Sequence, residues 1–302
     1  MRVTAVKALY FTGAGTTRLV AERLVERCGL PAEATDVTPR GSVPPAFGEH
    51  DLAVFAVPSY GGRVPAPMLE RIALCEGRDT PAVLLVTYGN RAIDDTLLEL
   101  ADAVRERGFV PVAAAAVVAH HSLMTNVAEG RPDEKDLAVV DELARVALAR
   151  LSAAPDARSA ELSDVPGNRP YREFGGVPFH PETDATRCVS CGACAGQCPT
   201  GAIDPDEPAR TEAGRCVSCF RCVAACSAGA RRIGGGPALA AARAAFAARP
   251  PWGTKEPSIS HVSEHRDART RKGSPHVHGH PLYRRRRRHV LWSQPGLDPG
   301  LR

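Results

Sequence analysis

The sequence has no long hydrophobic run. Its longest uninterrupted apolar stretch, Val112 to Ala119, is far shorter than the roughly 20 residues that a membrane-spanning helix needs. Lys7 interrupts the apolar part of the N-terminus, so we expect no secretory signal. These absences predict a cytoplasmic protein without a membrane span. In that reducing compartment, cysteines indicate metal or redox chemistry before disulfides.

Aromatic residues and hydrolytic motifs are scarce as well. Phe, Trp and Tyr make up 5% of the chain, which has only five tyrosines and two tryptophans. The sequence shows no Ser/His/Asp, paired-carboxylate or Cys/His arrangement of the kind that activates a nucleophile or a water. A dedicated hydrolytic or acyl-transfer site is therefore not expected, and whether the protein is an enzyme at all stays open.

The chain contains 302 residues, which is enough for two domains, and its charge is divided unevenly. The tail from Pro251 onward carries a net charge of +7, whereas the rest carries −3. The run Arg284 to Arg288 could bind nucleic acid, but the tail has no folded motif and no interleaved aromatic platform. We predict a disordered extension. Nucleic-acid binding and translation in a foreign reading frame are the weaker alternatives.

The first 150 residues alternate apolar runs with helical patterns. Four strong runs lie at residues 6–11, 51–57, 82–88 and 110–119, and a weaker one lies at 32–36. Near-continuous apolar strands that alternate with helices indicate a parallel sheet covered on both faces. The pattern predicts an α/β fold with a doubly wound, five-stranded parallel sheet in the order 2-1-3-4-5.

Composition changes divide the chain into four segments. We predict a first domain over residues 1–151, a linker or wrapping segment over 152–180, and a small cysteine-rich domain over 181–236. An Ala-rich helix from Pro237 to about Ala248 and the basic tail complete the chain to residue 302.

The strongest signal is a duplicated cysteine spacing. Cys-x-x-Cys-x-x-Cys-x-x-x-Cys occurs twice, followed by Pro199 in the first run and by Ser227 in the second. This is the run of bacterial two-cluster ferredoxins, in which the fourth cysteine of each run ligates the other cluster. On that pattern, one [4Fe-4S] cluster takes Cys188, Cys191, Cys194 and Cys226, and the other takes Cys216, Cys219, Cys222 and Cys198. A zinc ribbon would need only four ligands and would leave four cysteines and the duplication unexplained.

A Gly/Thr-rich loop joins the first strand to the first helix. Backbone N–H groups at a helix N-terminus suit a phosphate, and here they stand beside three hydroxyls and two glycines. The loop consists of Thr12, Gly13, Ala14, Gly15, Thr16 and Thr17. Two alternatives remain open. One is a dinucleotide fingerprint with Asp36 on the ribose, although Arg18 stands where the third glycine belongs. The other is a turn without a ligand.

Two later loops carry a tyrosine beside glycine at the predicted carboxyl edge of the sheet. One contains Tyr60, Gly61 and Gly62, and the other contains Tyr88, Gly89 and Asn90. In this strand order, ligands bind outside the carboxyl ends of strands 1 and 3, where an aromatic ring could flank a flat heterocycle. Each tyrosine could instead be a surface turn residue.

Together these segments resemble fusions of a flavodoxin-like domain to a dicluster ferredoxin, over about residues 3–235. The resemblance rests on the sequences at 10–17, 57–65 and 86–91 and on both cysteine runs. It implies an FMN-binding flavodoxin fold, with the phosphate at Thr12 to Thr17 and the isoalloxazine between the Tyr60 and Tyr88 loops. The phosphate loop departs from the family pattern, because Ala14 replaces a threonine and Thr16 an asparagine.

The function expected from these signals is single-electron relay between two [4Fe-4S] clusters and FMN. The partners would be redox proteins or a small-molecule acceptor, and a flavin-dependent oxidoreductase is compatible with the same parts. The alternative is an iron-sulfur binding or sensing protein whose flavodoxin-like domain is empty and docks a partner. His120, His121 and Ser122 could face the flavin edge or simply form a polar loop.

Overall fold

The N-terminal part of the molecule alternates strands and helices, and its central strands are apolar along nearly their whole length. In the computed structural model, which describes residues 1–247 and 258–260, every residue of β4 and β5 is buried. The strands are β1 (Ala5–Tyr10), β2 (Ala32–Asp36), β3 (Asp51–Pro58), β4 (Thr80–Tyr88) and β5 (Phe109–Val118). The helices are α1 (Thr16–Cys28), α2 (Ala66–Ile72), α3 (Thr96–Arg105) and α4 (Glu134–Ala153).

The five strands form a parallel sheet in the order β2-β1-β3-β4-β5, which is the flavodoxin-like order. This confirms the predicted fold class. One addition was not expected: a short strand at Ser258–Ser260 pairs antiparallel with residues 114–116 of β5. These three residues lie in the segment predicted to be disordered, and the structure describes them as a strand. The rest of the tail, including Arg284 to Arg288, lies outside the described residues.

Helices cover both faces of the sheet, which is why its central strands show no polar alternation. α1 and α4 pack on one face, where Val20 and Leu24 meet Val140 and Leu143. α2 and α3 pack on the other face around a separate set of fully buried side chains, which includes Met68. The carboxyl ends of β1, β3 and β4 therefore open at one edge of a rigid scaffold.

Residues 152–180 wrap around this scaffold. Leu162 and Val165 are buried in the same core as α2 and α3, and the Leu162 N–H donates to the carbonyl of Pro111 at 2.8 Å. The buried carboxylate of Asp95 holds the later part of this wrapping segment, which we call the wrap, against the scaffold. It accepts from the backbone N–H groups of Asn168 (2.8 Å) and Arg172 (2.7 Å). These contacts pack the segment against the scaffold, as a wrapping segment would.

The cysteine-rich part contains β6 (Pro181–Thr183), α5 (Ala193–Gly196), α6 (Arg221–Ala224), β7 (Arg231–Ile233) and α7 (Gly236–Ala247). β6 and β7 form an antiparallel pair. The two cysteine loops repeat each other in conformation. Ser190 and Ser218 both have φ 51°, and Gly192 (φ 72°) corresponds to Phe220 (φ 58°). All described residues belong to one compact unit.

No helix within residues 1–247 is long and apolar enough to cross a membrane.

Asp95→Ala should release the wrap. Burial alone would raise the pKa of this carboxyl, but the hydrogen bonds from Arg172 and Asn168 lower it, so the group is ionised at neutral pH. Its removal leaves three donors without their acceptor, the backbone N–H groups of Asn168 and Arg172 and the side-chain amide of Asn168, a loss of about 2–3 kcal/mol. We expect a lower thermal midpoint and faster tryptic cleavage after Arg172. Asp164→Ala removes an exposed carboxylate from the same segment and should match the parent protein in both measurements.

Candidate functional site

A cleft opens at the carboxyl ends of the strands, where the topology places ligands in this fold. Nine of the twelve residues predicted to bind the flavin line it: Gly13, Ala14, Thr16, Thr17, Tyr60, Gly61, Gly62, Tyr88 and Gly89. The three loops that the sequence singled out separately thus meet at one cavity.

The loop after β1 presents an uncapped helix N-terminus to this cleft. Gly15 precedes α1 in the left-handed conformation (φ 96°), and no side chain caps the helix. The first bond within the helix runs from Leu19 N to Gly15 O, so the N–H groups of the first turn have no partner within the helix. Such a terminus, carrying a partial positive charge, fits a phosphate.

The hydroxyls of this loop are less available than the sequence suggests. The Thr12 hydroxyl accepts from the Gly15 N–H at 3.0 Å, and Thr12 is fully buried. The Thr17 hydroxyl is 2.7 Å from that of Thr87. Two of the three predicted hydroxyls thus have partners in the protein, Thr12 within the loop and Thr17 in β4, and the phosphate donors that remain are chiefly backbone N–H groups.

Tyr60 enters the cleft on a tight two-residue turn. Tyr60 and Arg63 exchange backbone hydrogen bonds of 3.0 and 3.2 Å, and Gly61 (φ 61°) and Gly62 (φ 86°) occupy the two positions that require positive φ. Burial raises the pKa of the Tyr60 hydroxyl well above its usual value, and the nearby Cys219 raises it further. Tyr60 therefore stays a neutral phenol, able to donate or accept a hydrogen bond.

Tyr88 contacts the cleft differently from Tyr60. It is the last residue of β4, it is only 7% exposed, and it packs against Ala116 and Val118 of β5. The Tyr88 side chain is thus part of the buried packing of the sheet. The two tyrosines line one cleft, but only Tyr60 stands on a loop, so the surface-turn account does not apply to Tyr88.

Thr12, Gly15 and Asn90 do not line the cleft. Thr12 and Gly15 shape the loop, as described above, and Asn90 is a buried residue in a turn with φ 57°. The dinucleotide alternative also loses its ribose ligand. Both carboxylate oxygens of Asp36 are engaged, one by the Thr38 N–H at 2.9 Å and the other by Arg221 at 2.8 Å.

His120, His121 and Ser122 all line the cleft. The Nδ1 atom of His121 accepts from the N–H groups of Leu123 and Met124, both at 3.2 Å. Burial, followed by the neighbouring charges of His120 and Arg91, lowers the pKa of His121 to about 4. Since Nδ1 is an acceptor, the neutral ring carries its proton on Nε2 and can only donate there.

Further lining residues come from segments that gave no sequence signal for this site. Phe174 and Val177 belong to the wrap, Phe246 to α7, and Val217 and Ser218 to the second cysteine loop. Phe174 lies so close to Gly61 that a Cβ there would overlap its ring. These contacts join segments that are far apart in the chain, so no local spacing or periodicity in the sequence could predict them.

The second cysteine loop lies against the flavodoxin-like part. Cys219 is 6% exposed and belongs to the same buried cluster as Leu9 and Phe11. A Cβ on Gly13 would overlap the backbone carbonyl oxygen of Cys219 and lie 2.7 Å from the Tyr60 hydroxyl. Gly13 is therefore required where two backbones approach each other, a role that the phosphate motif does not reveal.

Cysteines of both runs come together near Cys219, and Cys194 of the other predicted set also interacts electrostatically with Cys222. Cys198, from the first run, interacts electrostatically with Cys216, Cys219 and Cys222 of the second. Burial raises the pKa of Cys219 and of Cys222 to about 12. The Sγ atoms of Cys198 and Cys216 accept backbone N–H groups at 3.2 and 3.4 Å, a type of contact that tunes iron-sulfur clusters.

The other predicted set lies nearer to solvent. Cys191 is exposed, Cys188 and Cys226 are partly exposed, and Cys194 is buried. Backbone hydrogen bonds, that of Arg231 foremost, lower the pKa of Cys226 despite the opposing effect of burial. All eight cysteines are free thiols, a donor set that suits iron-sulfur ligation.

No three His, Cys, Asp or Glu side chains within residues 1–247 converge as ligands of a single metal ion. In a cubane cluster, each of the four thiolates binds a different iron. The two remaining cysteines, Cys28 and Cys75, are buried in the two faces of the α/β core, where burial raises their pKa values to about 11 and about 12.

Gly13→Ala should disrupt the junction between the two parts of the chain, since the new methyl group would collide with the Cys219 backbone. We expect a loss of about 1–3 kcal/mol in stability, measured by thermal or denaturant unfolding under anaerobic conditions. Gly175→Ala is the matched control, because a Cβ there meets nothing within 4 Å. Equal stability of the two variants would contradict the role assigned to Gly13.

His121 should remain neutral in the folded protein down to about pH 5. Histidine-labelled protein can be titrated by NMR, with the signal assigned through His121→Gln and free imidazole as the reference. Because the folded pKa lies below the unfolded value, the neutral ring stabilises the fold above about pH 6.5, and this contribution is lost as the pH falls toward about 4. A midpoint near 6.5 would contradict the assignment.

Comparison with known proteins identifies one segment by sequence. Residues 181–204, which include the whole first cysteine run, match the 4Fe-4S binding domain. No curated protein matches the chain.

Solved structures of two flavodoxins and of an oxidoreductase align with about half of this chain. A flavodoxin of Streptococcus pneumonia TIGR4 is 17% identical, covers 49% of this chain and 99% of its own, and has a TM-score of 0.38. An archaeal flavodoxin is 12% identical, with the same shares covered and a TM-score of 0.39. NAD(P)H:quinone oxidoreductase from Methanothermobacter marburgensis is 16% identical, covers 50% of this chain and 98% of its own, and has a TM-score of 0.33.

The strand order and the matched segment lead to one conclusion: a single chain joins a sheet of flavodoxin-like topology to a 4Fe-4S binding domain, as in flavodoxin-ferredoxin fusions.

Proposed function

We propose that the protein is a cytoplasmic electron-transfer protein, which relays single electrons between two [4Fe-4S] clusters and an FMN. The observation that carries this proposal is the contact between Gly13 of the phosphate loop and the backbone of Cys219. A proposed cluster ligand thereby touches the proposed flavin site directly, and Val217 and Ser218 of the same loop line the cleft.

The proposed inner cluster takes Cys216, Cys219, Cys222 and Cys198, and the outer one takes Cys188, Cys191, Cys194 and Cys226. The burial of the two sets supports an order along the molecule. Cys219 lies in the core beside the cleft, whereas Cys191 is exposed. A redox partner protein would therefore exchange electrons at the outer set, and the inner set would connect it to the cleft.

FMN would bind with its phosphate at the N-terminus of α1 and its ring system beside Tyr60. When bound, it supplies an electron carrier that accepts one or two electrons. The residues of this chain would position it: the first-turn N–H groups neutralise the phosphate charge, and Tyr60 presents a neutral phenol. His121, in the loop after β5, would offer a neutral N–H donor to the cleft. Reduction of a small acceptor by the bound flavin is compatible with this arrangement.

We assign these roles to the four segments predicted from composition. Residues 1–151 would hold the flavin, 152–180 would close over it, and 181–236 would carry the clusters. In the last segment, 237–302, α7 contributes Phe246 to the cleft.

The second candidate, a sensing protein with an empty flavodoxin-like domain, has one observation in its favour. The phosphate loop has few free hydroxyls, because Ala14 has none and those of Thr12 and Thr17 are hydrogen-bonded to Gly15 and Thr87. Anaerobically purified protein decides between the two. The relay contains about one FMN per chain besides iron and sulfide, whereas the sensor contains iron and sulfide but no releasable flavin.

Cys198→Ser should lower the iron content from about eight atoms per chain to about four, because the serine removes one ligand of the inner cluster. Iron, sulfide and flavin quantitation measures this. Cys28→Ala is the control, since Cys28 is buried in the α/β core and should leave the iron content unchanged. Full iron in the Cys198 variant would overturn the proposed ligand set.

A further inference from the structure

The second cysteine loop forms part of the wall of the cleft. Val217 and Ser218, which lie between two proposed ligands of the inner cluster, line the cavity together with the phosphate loop. This part of the wall lies outside the flavodoxin-like sheet, and the domain that carries the clusters supplies it.

The backbone of this loop is tied to one of its cysteines, and the Ser218 hydroxyl also donates to the carbonyl oxygen of Phe179 at 2.8 Å. Ser218 and Phe220 both adopt the left-handed region, at φ 51° and 58°, which is costly for residues other than glycine. The helix that follows, α6, has only four residues. The Ser218 N–H donates to the Sγ of Cys216 at 3.4 Å, so the lining residue is tied to a ligand atom.

Phe220 and Arg221 anchor this loop to the flavodoxin-like part. Phe220 is 4% exposed and packs against Leu123, Met124 and Val127 of the loop after β5. The neighbouring residue of Phe220, Arg221, is the one that binds Asp36 at the end of β2. These two residues therefore connect the loop to the segment after β5, where Leu123 and Met124 line the cleft, and to the end of β2.

We propose that the flavin site is a composite site, completed by the Cys216 to Cys222 loop, and that FMN binding is coupled to occupancy of the inner cluster. This inference rests on the proposed function. A bound inner cluster holds Val217 and Ser218 in place and so raises the affinity for FMN. Because coupling between binding sites is reciprocal, FMN stabilises the inner cluster by the same factor. The outer cluster, whose loop does not line the cleft, has no such coupling.

Fluorescence titration of FMN into deflavinated protein, carried out anaerobically, tests the coupling. Three forms are compared: the parent protein with both clusters, Cys216→Ser without the inner cluster, and Cys191→Ser without the outer one, each verified by iron content. We expect the dissociation constant to rise at least about tenfold for Cys216→Ser and to remain at the parent value for Cys191→Ser.

A second variant tests the wall while both clusters are present. Val217→Ala shortens one lining side chain and leaves intact all eight cysteines and the bond from the Ser218 hydroxyl to the carbonyl oxygen of Phe179. We expect weaker FMN binding, by about threefold to tenfold, at full iron content. This arm decides the question even if a cysteine variant loses both clusters or fails to fold.

The outcomes separate this inference from the proposed function. If the parent protein with both clusters does not bind FMN, the proposed function fails. If it binds FMN and the wall variant has the same dissociation constant, the site is not composite and the inference is overturned. Equal affinities of Cys216→Ser and the parent protein would likewise overturn the coupling.

Discussion

The close approach of two backbones at Gly13 and Cys219 is the constraint on which the arrangement of the molecule depends. A glycine is needed there because any side chain would occupy the place of the Cys219 carbonyl group. The contact fixes the distance between the phosphate loop and the inner cysteines. Phe220 and Arg221 reinforce it on either side, through apolar burial and through an ion pair with Asp36. Together they join the flavodoxin-like part and the cysteine-rich part into one compact unit.

The α/β part was readable from the sequence because its strands are buried on both faces. Each strand leaves a continuous apolar run, and the alternation with helices then determines a parallel sheet. The cysteine motif was equally readable, since a cluster imposes a local spacing on its ligands. The turn that contains Tyr60 could be predicted from Gly61 and Gly62, because both positions of this turn require a positive φ.

The rest of the site could not be predicted because it depends on contacts between segments far apart in the chain. Phe174, Phe246 and Val217 reach the cleft from three different regions, and each looks like an ordinary apolar residue in its own sequence context. The internal hydrogen bond of Thr12 could not be predicted for a related reason. Its hydroxyl has a partner within the loop, and a motif gives the residue type without its hydrogen bonds.

Phe220 occupies the position that Gly192 holds in the first cysteine loop. The left-handed conformation costs a phenylalanine about 1 kcal/mol, and burial of its ring returns about 2 kcal/mol. A repeat with internal two-fold symmetry could attach to its neighbour in either of two orientations with nearly equal energy. The Phe220 ring, which is buried against Leu123, Met124 and Val127, favours one of these orientations together with the ion pair of Arg221 with Asp36. The two cysteine runs, although similar in sequence, therefore occupy different positions: Cys219 is buried beside the cleft, and Cys191 is exposed to solvent.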